Sequence, residues 1–555
     1  MDSTTFIVRT VVFALACASS VAFAQSSRTA ESNISKVWVA DNGDGTYKNP
    51  VLHADYSDPD VVRVGDDFFM TASSFNAAPG LPILQSKDLV NWKLLGHALK
   101  RQPPFDVYSK PQPGNGVWAP SIRFHNGNFY IYYADPDYGI YLVKASSETG
   151  PWSEPLLVKQ AKGWIDPCPL WDADGNAYLV SAMAASRSGI KSILVVSRMS
   201  ADGTKLLDDG VMVFDGHDKH PTVEGPKFYQ RNGYYYIFAP AGGVEEGWQL
   251  VLRSKNVYGP YEEKIVLAQG KTQINGPHQG AWIETPGGEN WFMHFQDKGA
   301  YGRVVHLQPL TWIADWPVIG ADPDGDGTGE PVLTHAKPNV MRGGPWTKAA
   351  ATIVTPPDSD EFDGNGLGLQ WQWQANPSSN WAFPAGSSGF LRLFNVPLPE
   401  GFRNFWEVPN LPLQKFPAPE FTATTRVTFT PRTDDEETGL IVMGLDYAYV
   451  SVTKKPEGLF VAQTIVKDAE SGARGKQSAG VVLKGNAFYL RVRVTKDAVC
   501  SFSYSADGTT FSSVGEPFTA RKGKWIGAKV GLFAVRTGKT RETGYADFDW
   551  FRVTP

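Results

Sequence analysis

The chain has 555 residues, a formal net charge of −5 with no basic block, 13% aromatic residues, 55 Gly and 40 Pro. That length exceeds what one hydrophobic core supports, so two domains are expected. The charge balance argues against nucleic acid as the main partner, and the aromatic- and turn-rich composition favours strands over helices. The N-terminus reads as a secretory leader over 1–24. Arg9 precedes an apolar run over 10–23, too short to be a good spanning helix, and Ala22-Phe23-Ala24 supplies a small-residue cleavage pattern before Gln25. The mature chain is therefore expected to be secreted or periplasmic, with no membrane span. A lipid anchor at Cys17 is the lesser reading, because Ala14-Leu15-Ala16 matches the leucine-led lipoprotein motif poorly. Cys168 and Cys500 fall in different expected domains, so stability should come from packing and not from a disulfide. Residues 25–45 are polar and read as an N-terminal extension.

Between 46 and 320 one pattern occurs five times: a turn with Gly, then an aromatic-rich apolar run. It reads Gly65-Asp66-Asp67-Phe68-Phe69, Asn126-Gly127-Asn128-Phe129-Tyr130, Asp174-Gly175-Asn176-Ala177-Tyr178, Asn232-Gly233-Tyr234-Tyr235-Tyr236 and Gly288-Glu289-Asn290-Trp291-Phe292. The copies lie about 50–60 residues apart, the period of a propeller or solenoid. Strands follow each turn, so five blades of a β-propeller are expected. A second echo, a polar turn ending in an aromatic, keeps step with the first at Trp92, Trp152 and Tyr261. It fits a hairpin leading to an outer blade strand.

Residues 321–357 read as a linker. Asp322, Asp324 and Asp326 within it imitate the start of a calcium loop. Leu333 stands where an EF-hand needs its bidentate Glu, so the segment is read as a solvated turn. From 358 to 555 many short alternating segments follow, among them 426–429, 440–443, 488–494, 529–533 and 547–551. They imply a β-sandwich. The fold class is thus all-β, a five-bladed propeller followed by a sandwich.

Three carboxylates share a setting beside Pro or Gly, near a predicted inner strand at the start of a blade. Asp58 lies in Ser57-Asp58-Pro59-Asp60, Asp166 in Ile165-Asp166-Pro167, and Glu224 in Val223-Glu224-Gly225-Pro226. Innermost strands line a propeller's channel, so equivalent positions converge there. Clustered carboxyls push one another's pKa values apart and separate an acid from a base. That division suits glycoside hydrolysis. An isolated Asp-Pro is more often a turn cap; Asp60, two residues after Asp58, is read as a solvated or capping carboxylate.

These motifs, with Asn49-Pro50, Arg63-Val64-Gly65-Asp66-Asp67-Phe68-Phe69 and Val117-Trp118-Ala119-Pro120-Ser121, resemble glycoside hydrolase family 43 across the whole repeat region. The tail resembles the concanavalin-like β-sandwich of that family's β-xylosidase-like members. The resemblance implies an inverting mechanism. Asp58 corresponds to the general base, Glu224 to the general acid, and Asp166 to the third carboxylate, which raises the acid's pKa and orients it. Inversion implies roughly 6.5–9.5 Å between base and acid. Phe75 and Trp118 match pocket-wall aromatics, and Arg303 an arginine near the sugar. His278 matches a channel histidine, for which a plain core role and a part in holding calcium stand equally open. Glu361 and Asp547 lie at the two ends of the sandwich, which suggests a structural calcium between them. Phe402-Arg403-Asn404-Phe405-Trp406 is a candidate for a loop at the propeller mouth.

The expected activity is release of terminal α-L-arabinofuranosyl units from plant cell-wall polysaccharides or oligosaccharides, with β-D-xylosyl units as well. The lean toward arabinose rests on the resemblance alone. Alternatives are a β-D-xylosidase, an endo-arabinanase that needs an open groove, and a non-catalytic carbohydrate-binding protein. The chemistry requires no cofactor. The expected partners are arabinose- or xylose-containing glycans, and no protein partner is inferred.

Overall fold

The computed structural model describes residues 34–341, 352–384, 389–538 and 541–555. The leader peptide and Cys17 lie outside the described residues. Each repeat folds as a four-stranded antiparallel sheet whose strands neighbour one another in chain order. The five sheets cover 60–99, 118–160, 164–215, 227–267 and 278–319. Every copy of the Gly-containing turn joins the first and second strands of its blade. Asn126 (φ 46°) and Gly127 (φ 76°), like Asn232 (φ 50°) and Gly233 (φ 76°), both take left-handed φ, as the tightest hairpin turns require. The aromatics after each turn are the inter-blade core. Phe69 of the first blade meets Phe129 of the second edge-on, with ring centroids 5.2 Å apart. Phe68, Met70 and Trp92 of the first blade join Met293, Val305 and Leu307 of the fifth. Burying each such side chain contributes roughly 1.5–3 kcal/mol, which is what holds one blade on the next.

The ring closes through the segment before the first blade. Leu52 exchanges backbone hydrogen bonds with Val305 of blade five, at 3.3 and 3.0 Å. The Asn49 side chain donates to the Leu307 carbonyl and accepts its N–H, both at 2.8 Å. Thr46–Lys48 pairs with Thr334–Ala336, so part of the expected linker is instead a strand that returns to the propeller. In the Asp322–Asp326 turn the three carboxylates lie within 4.8 Å of one another. They accept N–H groups of their own turn, from Gly325, Asp326, Gly327 and Thr328.

Residues 359–555 form two antiparallel-rich sheets packed face to face around Phe421, Val427, Leu440, Val450, Leu490, Leu532 and Phe548. The sandwich is bound to the propeller through its backbone. Ala78 and Trp373 exchange hydrogen bonds at 3.0 and 2.6 Å, and Ala528 N–H donates to Ala300 at 2.7 Å. The seam also buries amines. Lys415 donates to Gln372 at 2.9 Å. Burial pushes Lys529 down to about 7, with Lys415 adding repulsion and Asp55 partly offsetting it. The unfolded chain therefore holds the Lys529 proton between pH 7 and its ordinary value while the folded chain sheds it. The resulting destabilisation is full below about pH 7 and fades as pH rises toward the unfolded value. Lys529→Met is expected to stabilise by on the order of 1–3 kcal/mol at pH 6 and by much less at pH 9. Thermal unfolding at the two pH values checks this; an equal gain at both would reject it.

Candidate active site

The five inner strands open with a shared backbone feature. Asp58 (φ 55°), Ala119 (φ 26°), Asp166 (φ 56°), Gly225 (φ 57°) and Gln279 (φ 38°) occupy equivalent positions, and each is left-handed. Four are followed by Pro. In blades two, three and five the pairing register shifts across this residue, as at a β-bulge. Bulges re-aim a side chain out of the regular pleat, here toward one end of the channel. Asp58 and Asp166 are themselves the left-handed residues. Glu224 immediately precedes one, as do Trp118 and His278 in their blades.

Three donors converge on Asp58, which is 3% exposed. Arg303 Nη1 lies 3.1 Å from Oδ1. Ser57 donates to Oδ2 at 2.8 Å, and Ser73 donates to the same oxygen. Ser73 is fixed in turn by the Ala119 N–H at 2.8 Å. The side chain is thus held as an acceptor. Asp166 is 2% exposed and accepts the Gly225 N–H at 2.7 Å. Its carboxyl is pushed well above the ordinary range, first by burial and then by the Glu224 charge, with a smaller push from Asp58; the Gly225 N–H and Lys227 oppose this. The Glu224 side chain keeps 23% of its surface exposed and lies 3.0 Å from His278 Nε2. Of the three carboxylates it is the one that reaches the opening.

The walls are aromatic. Phe75 meets Trp118 at 6.4 Å between ring centroids. Sequence reading missed two further side chains here. Arg187, on the short Ala185–Ser188 helix, lies over the Trp118 ring at 5.5 Å and is held by Asp137 and Asn115. Trp525 comes from the sandwich, 47% exposed. Its ring lies 6.0 Å from Trp118, and the Arg303 guanidinium lies 5.9 Å from it. Its signal was a lone aromatic in a polar stretch, Arg521-Lys522-Gly523-Lys524-Trp525, which nothing local ties to a propeller.

Several expectations need correction. The mouth segment is 521–528, not 402–406. Phe405 is buried against Tyr449 and Phe533, with ring centroids 4.9 Å from each, and Trp406 donates to the Gly444 carbonyl. Asp60 is not solvated. It is fully buried, accepts the Ile122 N–H at 2.7 Å and pairs with Arg123 at 2.6 Å. Arg123 also donates to Cys168 at 2.9 Å, and the buried Lys227 donates to the Pro120 carbonyl at 2.9 Å. A charged network therefore fills the channel beneath the carboxylates. Glu361 and Asp547 are not brought together. Arg552 holds Glu361 through two contacts of 2.7 Å, and Arg392 holds Asp547 at 2.7 and 2.8 Å. Arg552 and Asp547 lie on the same strand, Tyr545–Thr554, about 16 Å apart at strand rise.

The donor set around His278 does not fit a protein-held calcium. Its Nε2 is taken by Glu224, its buried Nδ1 has no partner, and Phe295 packs against the ring. Calcium takes six to eight oxygen ligands. Among the described residues, the one grouping of three acidic, histidine or cysteine side chains whose ligand atoms all lie within 4.8 Å of one another is Asp322, Asp324 and Asp326.

Comparison with known proteins identifies the family and the fold. The model of glycosyl hydrolases family 43 matches residues 47–317. The β-xylosidase C-terminal concanavalin A-like domain matches 359–554. A putative β-xylosidase of Xylanibacter ruminicola is 41% identical over 90% of this chain and 88% of its own. The non-reducing end α-L-arabinofuranosidase BoGH43B of Bacteroides ovatus is 28% identical over 91% and 94%. The crystal structure of xylan β-1,4-xylosidase from Bacillus halodurans C-125 superposes with a TM-score of 0.79 at 25% identity, covering 92% of this chain and all of that one. With five blades, three channel carboxylates and a sandwich that carries a wall of the pocket, the chain belongs to glycosyl hydrolase family 43 and is a glycosidase.

Proposed function

We propose that the protein is an inverting exo-glycosidase that releases one terminal pentose, β-D-xylosyl or α-L-arabinofuranosyl, from plant cell-wall glycans. One contrast carries the reading: Asp58 is locked as an acceptor by Arg303 and two hydroxyls, while Glu224 alone of the three carboxylates reaches the opening. In this mechanism the Asp58 carboxylate takes a proton from a water, which attacks the anomeric carbon. The carboxyl of Glu224 gives its proton to the departing glycosidic oxygen. Asp166, 2% exposed, accepts the Gly225 N–H beside Glu224 and acts through its charge on that neighbour. Each of the two proton transfers contributes roughly 10²–10⁴-fold. His278, 3.0 Å from Glu224, fixes that side chain, and Trp118 and Trp525 offer flat apolar faces to a sugar ring, with the buried Phe75 edge-on against Trp118.

The names borne by the relatives divide between the two sugars, and two of the three name a xylosidase. The β-D-xylosyl reading therefore stands beside the arabinofuranosyl one. Trp525 across the mouth favours a single-sugar pocket over the open groove of an endo-arabinanase. Initial rates on paired aryl β-D-xyloside and aryl α-L-arabinofuranoside, with the product anomer followed by NMR, test both points. A preference for one names the sugar, and similar rates mean a shared pocket. Product with retained configuration would reject the inverting assignment, and hydrolysis of neither, with oligomers released from linear arabinan, would reject the exo reading.

A further inference from the structure

Asp55 takes no part in the chemistry above, yet it is 6% exposed and both of its oxygens are committed. Oδ1 accepts the Arg303 N–H of blade five at 3.0 Å, and Oδ2 accepts the Gly527 N–H of the sandwich at 2.9 Å. Around this carboxylate the two domains meet backbone to backbone. A Cβ on Gly302 would lie 2.6 Å from Asp55 Cγ, and one on Gly527 would lie 2.7 Å from the Gly302 nitrogen. Trp525, two residues before Gly527, is left-handed at φ 66° and carries the ring that faces Trp118 and Arg303. Where that ring stands depends on where the 525–527 backbone is held. The segment's other charged tie to the propeller joins Lys522 to Glu245 and Asp297 at 3.0 and 3.4 Å. Lys522 and Glu245 keep 40% and 69% of their side-chain surface exposed, so that pair contributes little, and Asp297, though nearly buried, is at the longer distance from the amine. A buried carboxylate accepting two N–H groups is the stronger anchor.

We propose that Asp55 is a positioning residue: its carboxylate seats segment 521–528 of the sandwich on the propeller mouth and so sets Trp525 against the sugar site. This deepens the single-sugar reading and rests on it for its kinetic arm. Asp55→Asn keeps the shape but replaces one acceptor with a donor, so one N–H loses its partner. KM for the better aryl glycoside is expected to rise roughly tenfold, with the loss falling mainly on KM. Because the effect passes through Trp525, the same substitution in a Trp525→Ala background should change KM by less than about twofold. Backbone amides of 522–528 should exchange with deuterium roughly tenfold faster in Asp55→Asn than in the wild type, with the blade cores unchanged.

An equal KM shift in both backgrounds would mean that Asp55 acts through Arg303 alone, and would overturn the proposal. So would unchanged exchange at 522–528 in a folded Asp55→Asn protein. A wild-type protein that hydrolyses neither aryl glycoside would overturn the functional reading, and the exchange comparison would then decide the anchor by itself.

Discussion

Asp58→Asn is expected to lower kcat by roughly 10³-fold or more on every substrate, whatever its leaving group. Water attack is needed in each case, and only this carboxylate is held by Arg303, Ser57 and Ser73. Asparagine is the substitution of choice because position 58 is left-handed at φ 55°. Asn enters that region more readily than most residues, so the backbone bend that aims the side chain is kept. KM should change little, since the loss lies in a group that acts in the transition state. Steady-state rates on an activated and an unactivated glycoside, with a thermal melt to confirm folding, are the measurement. A kcat within tenfold of the wild type would remove Asp58 from the role of base.

Glu224→Gln should behave differently. On an unactivated glycoside the loss should be roughly 10²–10⁴-fold. On an aryl glycoside with a good leaving group it should shrink to a small factor, because little protonation is needed there. The alkaline limb of the pH–rate profile should also vanish, since it reports the proton on the acid. Equal losses on both substrates would reject the acid assignment. Its neighbour gives a matching stability test. Burial and the Glu224 charge raise the Asp166 pKa in the folded state. The stability Asp166 contributes is therefore fully present below its unfolded pKa and lost as pH rises through the folded value. Above that value the ionised, buried carboxylate costs stability. Asp166→Asn is expected to raise the melting temperature at pH 8, to have much less effect at pH 4, and to lower kcat. Those outcomes together would mark a site that trades stability for activity.

Much of the fold is legible along the chain because blade hairpins are local. Asn126-Gly127 and Asn232-Gly233 announce left-handed turns, and the aromatics that follow them are the inter-blade core. The three carboxylates are legible for a related reason. Asp58 and Asp166 are followed by Pro and Glu224 by Gly-Pro, and each marks the bend that opens an inner strand. Asp60 shows the limit. Its sequence setting is that of a turn cap, and nothing near it reveals Arg123, 63 residues away, which makes it a buried ion pair.

The same distance effect hid Trp525, Arg187 and Asp55. Asp55 and Gly527 are 472 residues apart in the chain and 2.9 Å apart in the fold. Glu361 and Asp547 were plausible partners by position, yet Asp547 pairs with Arg392 on the neighbouring strand and Glu361 with Arg552 near the end of the chain. The amino-acid sequence by itself determined the blades and the sandwich and marked the three carboxylates at the strand entries, because turn chemistry, strand alternation and strand-entry bends act over a few residues. Only the tertiary structure decided which domain closes the pocket and which carboxylates are buried. Those depend on backbones that meet across the domain seam, where the contact is made by whatever the packing of two whole domains brings together.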